Sequence, residues 1–228
     1  MYEILLIDLD DTIFDFKKQE YVAIRKTLRD AGLEPTEAVC ARYSQINDWH
    51  WKQLEKGVIT RDEVLHGRFR VLFQEMGIQS DPRQTALNYM ENLGEGHYYL
   101  PGAEEAIRSL GRKYRVFLAS NGTASVQNRR IQSAGLQNLV EGIFISQDIG
   151  VNKPAKGYFD YCFAHIPGFD ITKTLMVGDS LSSDILGGQN AGLPTCWVAP
   201  KEKTCTLEKQ PTYRIESIRE LEALLAGL

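Results

Sequence analysis

Tyr2-Glu3-Ile4-Leu5-Leu6-Ile7-Asp8-Leu9-Asp10-Asp11-Thr12 opens the chain with a short apolar run that breaks into a cluster of carboxylates. An unbroken apolar run of this length suits a strand buried on both faces, as in a parallel sheet. Three further runs look alike: Arg115-Val116-Phe117-Leu118-Ala119, Gly142-Ile143-Phe144-Ile145 and Thr174-Leu175-Met176-Val177. A fifth follows at Pro194-Thr195-Cys196-Trp197-Val198. Helical patterns lie between them, over 103–110, 125–134 and 183–191, the last two ending at Gly135 and Gly192, a common C-terminal signal. Strands alternating with helices predict an α/β fold with a doubly wound parallel sheet. Ile215, Ile218, Leu221, Leu224 and Leu225 recur at helical spacing and predict a closing amphipathic helix.

Residues 16–97 interrupt this rhythm. Tyr21, Ile24 and Leu28, then Val64, Phe69, Leu72 and Phe73, show helical periodicity. Gly32, Gly57 and Asp81-Pro82 divide the segment into roughly four helices. The expected organisation is therefore an α/β core of residues 1–15 and 98–228 with a helical domain, 16–97, inserted after the first strand. The length of 228 residues agrees, since about 150 residues make one average domain.

Composition narrows the function classes. With 26 Lys+Arg against 30 Asp+Glu, the net charge is −4. Such a balance leaves no basic footprint for nucleic acid. Cys40, Cys162, Cys196 and Cys205 are scattered without a C-x-x-C pair, so they read as reduced, packed thiols. Acidic residues inside the first apolar run argue against a signal peptide, and no apolar stretch reaches the ~20 residues of a membrane span. A cytoplasmic protein with no membrane or nucleic-acid partner, monomeric or a homodimer, is expected.

In an open parallel sheet, ligands sit beyond the carboxyl ends of the strands. The residues found there are Asp8-Leu9-Asp10-Asp11-Thr12, Ser120-Asn121-Gly122 and Gly178-Asp179-Ser180, with Lys153-Pro154 a little past the third strand. Several carboxylates, one hydroxyl and one ammonium would share one sheet edge. Crowded carboxylates repel one another unless something neutralises them. Oxygen ligands of this kind suit magnesium, which favours sites shared with phosphate.

This constellation resembles the haloacid dehalogenase superfamily, specifically its phosphatases. Asp8-x-Asp10-x-Thr12 matches the D-x-D-x-[TV] loop, Ser120 the strand-end Ser/Thr, Lys153 the family lysine, and Gly178-Asp179-x-x-x-x-Asp184 the acidic motif. The resemblance implies a Rossmann-like core and makes residues 16–97 the family's cap domain. It makes Asp8 the nucleophile of an aspartyl-phosphate mechanism and Asp10 the general acid and base. Magnesium would be held by the Asp8 carboxylate, the Asp10 carbonyl and Asp179. Ser120 and Lys153 would bind phosphoryl oxygens, with Asp184 orienting Lys153 or a metal-bound water. Backbone N–H groups near Leu9, Asp10, Asn121 and Gly122 would complete the phosphate cradle. An acid at Asp10 favours phosphoester hydrolysis over dehalogenation, because a departing halide needs no proton.

The insert, with Ile46-Asn47, Trp49-His50-Trp51, Glu55-x-Gly57 and Ile59-Thr60, is similar to the pyrimidine 5'-nucleotidase branch, as is Gly178-Asp179-Ser180-Leu181-Ser182-Ser183-Asp184-Ile185. A nucleoside monophosphate is the implied substrate. Phosphoglycolate, a sugar phosphate, or a phosphomutase reaction are the alternatives. Gly178-Asp179-Ser180-Leu181 also matches the G-D-S-L serine esterases, with Ser180 as nucleophile. That reading lacks a base, since no histidine follows His165. Asn121-Gly122-Thr123 forms a glycosylation sequon at a turn expected to carry the active site, and it is discarded. Asp11 is expected to cap the following turn. Trp49, His50 and Trp51 are adjacent on one helix, so they cannot all face one ligand.

Overall fold

Residues 1–228 are described by a computed structural model. The chain divides into two compact units, Met1–Phe16 with His97–Leu228, and Lys17–Gly96. Strand β1 (Ile4–Ile7) is followed by four helices, α1 (Phe16–Asp30), α2 (Glu37–Glu55), α3 (Arg61–Met76) and α4 (Pro82–Leu93). The alternating part continues with α5 (Ala103–Leu110), β2 (Arg115–Ser120), α6 (Ala124–Ala134), β3 (Gly142–Ile145), α7 (Ser146–Ile149), α8 (Lys156–His165) and β4 (Thr174–Gly178). It closes with α9 (Leu186–Asn190), β5 (Thr195–Val198), β6 (Tyr213–Ile215) and α10 (Leu221–Ala226). No helix is long and apolar enough to cross a membrane.

All six strands run parallel, in the order β3-β2-β1-β4-β5-β6. Every residue of β1 is buried, as its unbroken apolar run requires. Its side chains alternate between two cores. Leu5 and Ile7 pack with Ile107, Val116, Leu118 and Leu221 on one face. Ile4 and Leu6 pack with Phe117, Met176, Phe159 and Cys162 on the other. Burying one such side chain contributes about 1.5–3 kcal/mol.

The sheet order reverses direction at β1, and ligand sites form at such switch points. Register decides which residues meet there. Ile7 pairs with Leu118 of β2 and with Val177 of β4. The next residues on each strand, Asp8, Ala119-Ser120 and Gly178-Asp179, therefore leave the sheet side by side. The Asp8 N–H donates to the Val177 carbonyl at 2.9 Å and extends that alignment by one residue.

Within the helical unit, Tyr43, Phe69 and Tyr89 form a buried aromatic trio with ring centroids 5.1–5.6 Å apart. Thr60 and Glu63 make a capping box at the start of α3, and Gly77 ends that helix at φ 65°. The Glu20 carboxylate accepts hydrogen bonds from Ser44 Oγ and Asn47 Nδ2, each at 2.6 Å, and Arg68 Nη1 donates to Asn47 Oδ1 at 2.7 Å. Trp49 is exposed while its neighbour His50 is buried and bonded through Nδ1 to the Ile46 carbonyl at 2.7 Å. Adjacent residues on α2 do point apart.

Two elements differ from the sequence expectation. The helix expected over 183–191 begins as a π-type turn at Leu181–Ile185 before α9. Ile215 belongs to β6 and not to the closing helix. It pairs with Val198, and a short 3-10 turn at Ile218–Glu220 precedes α10. A free edge on β5 is satisfied by this pairing, and that long-range demand outweighs the helical spacing of the apolar residues.

Candidate active site

Lys153 lies at the centre of the sheet edge with its ammonium buried. It donates to Asp8 Oδ1 at 2.7 Å, to Asp184 Oδ1 at 2.6 Å and to the Ala119 carbonyl at 2.5 Å. An ammonium has three donors, and all three are committed. Burial pulls the Lys153 pKa down, but the Asp184 and Asp8 carboxylates outweigh it and hold the group above its ordinary value. Asn121 fixes the lysine backbone: its Oδ1 accepts from Lys153 N–H at 2.8 Å and its Nδ2 donates to the Lys153 carbonyl at 2.9 Å. Asp184 is held in turn by the Ser180 N–H, which donates to Oδ2 at 3.0 Å. Gly178 makes that carboxylate possible, since a Cβ there would lie 2.6 Å from Asp184 Cβ and closer still to its carboxyl group.

Carboxylate oxygens of Asp8, Asp179 and Asp184 all fall within 4.8 Å of one another. Burial, and then the charges of Asp184 and Asp179, push the Asp8 pKa well above its ordinary value, against the pull of Lys153. Burial, and then Asp184 and Asp11, push Asp179 up to about 8. One ammonium faces three carboxyl groups, so full ionisation of the cluster would leave negative charge uncompensated. Hard oxygen donors in such excess fit a divalent cation of the magnesium kind. The carbonyl of Asp179 is anchored by Trp197, whose buried indole Nε1–H donates to it at 2.8 Å.

The side chain of Asp10 leaves this cluster. Its Oδ1 accepts from Arg130 Nη1 at 2.6 Å and its Oδ2 from Gln127 Nε2 at 2.7 Å. Gln127 Nε2 also donates to Ser120 Oγ at 2.8 Å, and the Gly122 N–H donates to the same oxygen at 3.1 Å. The Gly122 N–H, expected to serve phosphate, is thus engaged by Ser120 because the turn folds back on its own hydroxyl. Asn121 likewise serves Lys153 through its side chain. Leu9 turns its side chain into the core, so only its backbone is left to face the site. Its carbonyl accepts from the Ile13 and Phe14 N–H groups at 3.0 and 2.9 Å, closing the loop. Asp11 stands at φ 57° and its Oδ1 accepts from the Phe16 N–H at 3.1 Å, which caps α1.

Comparison with known proteins gives this geometry a family. The family model described as haloacid dehalogenase-like hydrolase matches residues 2–192. The chain belongs to the haloacid dehalogenase-like hydrolases. It is 40% identical to the HAD-hydrolase YfnB of Bacillus subtilis, over 98% of this chain and 95% of that protein. A crystal structure of YfnB bound to magnesium superposes with a TM-score of 0.93, covering 98% of each chain. Pyrimidine 5'-nucleotidase PynA of Streptococcus pneumoniae is 35% identical, covering 96% of this chain and 93% of its own. Pyrimidine 5'-nucleotidase YjjG of Escherichia coli is 30% identical, covering 97% and 96%.

In this haloacid dehalogenase-like hydrolase the structure brings Asp8, Lys153, Asp179 and Asp184 together, and links Asp10 to Ser120 through Gln127. Sequence reasoning missed Gln127, Arg130 and Trp197. A signal for the first two existed. Gln127 and Arg130 share the buried face of α6 with Val126 and Ile131, and polar residues inside an apolar stripe need partners.

Proposed function

We propose that this hydrolase is a magnesium-dependent phosphomonoesterase acting on pyrimidine nucleoside monophosphates. The observation that carries the reading is a buried Asp8 gripped by Lys153, with a second carboxylate, Asp10, held two residues on. The Asp8 oxygen attacks phosphorus, the bond to the nucleoside oxygen breaks, and the Asp10 carboxyl passes its proton to that departing oxygen. Water then attacks the phosphorus of the aspartyl-phosphate. Asp10, now a carboxylate, takes the proton of that water. The bond from phosphorus to Asp8 breaks, which releases phosphate and restores the nucleophile.

Asp8, Asp179 and the Asp10 carbonyl would hold magnesium, which when bound offsets the repulsion between carboxylate and phosphate and stabilises charge in the transition state. Asp184 keeps Lys153 in place. Lys153 favours the ionised form of Asp8, holds its carboxylate in place, and adds positive charge beside the phosphoryl group. Ser120 donates its hydroxyl to a phosphoryl oxygen. The helical unit Lys17–Gly96 takes the part of the cap, where substrate choice resides. The names of PynA and YjjG supply the pyrimidine nucleotide.

The test is phosphate release from a panel of pyrimidine and purine nucleoside monophosphates, sugar phosphates and phosphoglycolate, with magnesium or with chelator. Fastest turnover of pyrimidine monophosphates, lost in chelator, is expected. Preference for a sugar phosphate or phosphoglycolate would overturn the substrate. Isomerisation of a hexose phosphate without phosphate release would indicate a mutase. Full turnover in chelator would overturn the metal.

A further inference from the structure

We infer that Gln127 and Arg130 are positioning residues that hold the acid/base Asp10 and aim the hydroxyl of Ser120. This inference rests on the phosphomonoesterase reading of Asp10. Gln127 and Arg130 lie three apart on α6, which places them on one helical face, and both are buried, at 1% and 0% exposure.

Donor accounting fixes the direction of every bond in the group. A guanidinium has only donors. Arg130 Nη1 lies 2.8 Å from Gln127 Oε1, so the glutamine carbonyl faces the arginine and its amide group faces the other way. That amide then donates to Asp10 Oδ2 and to Ser120 Oγ. Ser120 Oγ accepts from Gln127 and from the Gly122 N–H, and a hydroxyl oxygen has two acceptor positions. Its own hydrogen must therefore point to a third partner, which a phosphoryl oxygen supplies. Arg130 sets the polarity of the chain, Gln127 relays it, and Ser120 emerges as a committed donor.

The same two side chains pin Asp10. Each of its oxygens receives one bond, and each keeps a second lone pair on a side chain 27% exposed. That second position is where a proton can be carried to a leaving group or taken from water. Arg130 is a poor stability device. Its Nε and Nη2 have no hydrogen-bond partner although the side chain is fully buried, and buried donors left unpaired are unfavourable. Its guanidinium carbon lies over the rings of Phe14 and Phe16, 5.1 and 5.7 Å from their centroids. These contacts help hold the guanidinium, and with it Asp10, in place. An arginine kept there at such a disadvantage is explained by what it positions.

The leaving group separates positioning from mere structure. Dinitrophenolate departs without a proton, whereas a nucleoside oxygen needs one. kcat/KM reports the step in which the leaving group departs, so it is compared for dinitrophenyl phosphate and a pyrimidine nucleoside monophosphate. Asp10→Asn is expected to lower kcat/KM on the monophosphate by about 10²–10⁴-fold, and on dinitrophenyl phosphate at least ~10-fold less. Arg130→Met is expected to show the same split at roughly 10–100-fold, and Arg130→Lys to recover most of it. Gln127→Met is expected to add a rise in KM on both substrates, because Ser120 loses its imposed direction. If Arg130→Met does not fold, Gln127→Met carries the test.

Equal losses on the two substrates in the Arg130 and Gln127 variants, beside a clear split in Asp10→Asn, would overturn the inference alone. No split in Asp10→Asn would overturn the role of Asp10, and the inference with it.

Discussion

Replacing Asp179 by Asn removes one titratable carboxyl group from the cluster, and stability should respond to pH accordingly. Asp179 ordinarily titrates at 3.8 and is pushed up to about 8 in the fold. A folded acid with a raised pKa retains its proton where the unfolded chain has released it. Its effect on stability is absent below about pH 4, grows unfavourable as pH rises, and levels off above about pH 8. At ~1.4 kcal/mol per pH unit, the group removes about 2 kcal/mol at pH 5.5 and about 5 kcal/mol at pH 8.5. In chelator, Asp179→Asn is therefore more stable than the parent protein, and the gap widens by about 3 kcal/mol between those pH values. For a chain of this size that is roughly 6–12 °C in Tm. Asp8, raised by burial and by the charges of Asp184 and Asp179, acts in the same direction in both proteins and is relieved of the Asp179 charge in the variant. Thermal unfolding of both proteins across pH in chelator, followed by circular dichroism, measures the gap. Magnesium reverses the order for the parent, because binding stabilises the fold by mass action and favours ionised ligands. Parallel pH profiles for the two proteins in chelator would show that Asp179 does not retain its proton in the fold.

Two shorter predictions follow from the same edge of the sheet. Lys153→Met strands the Asp8 and Asp184 carboxylates without their shared cation, and breaking a buried pair in this way costs about 3–5 kcal/mol; a Tm drop on the order of 10 °C, read by calorimetry, is expected together with loss of turnover. Ser180→Ala removes a hydroxyl that accepts from the Ser183 N–H at 3.3 Å; a loss of no more than ~1 kcal/mol in urea unfolding, with turnover retained, is expected, whereas a dead, folded enzyme would restore the serine esterase alternative.

The strand ends were legible because burial on both faces writes itself as an unbroken apolar run. Ile4 to Ile7 and Thr174 to Val177 need no partner to be recognised, and the residue after each run must sit at the carboxyl edge. Asp8 directly follows the first run, and Asp179 follows the other after one glycine. Partnership was harder to read. Lys153 meets Asp8 across 145 residues of sequence, and spacing alone places neither beside the other. Gln127 and Arg130 lie on a helix whose pattern shows that they are buried, but their partner Asp10 is 117 and 120 residues away. Ile215 fits a helical period as well as it fits a strand, and only the open edge of β5 decides between them. The indole bond from Trp197 to the Asp179 carbonyl involves a backbone atom, which no side-chain pattern records.

In the proposed mechanism Asp8 carries the phosphoryl group. Rapid acid quench during turnover of a pyrimidine nucleoside monophosphate, followed by borohydride reduction and peptide mass spectrometry, reads it directly. Asp8 converted to homoserine, with Asp10 unmodified and no conversion in Asp8→Asn, is the predicted result. Rapid turnover with Asp8 intact at every quench time, or phosphate carried by Ser180, would exclude Asp8 as the nucleophile.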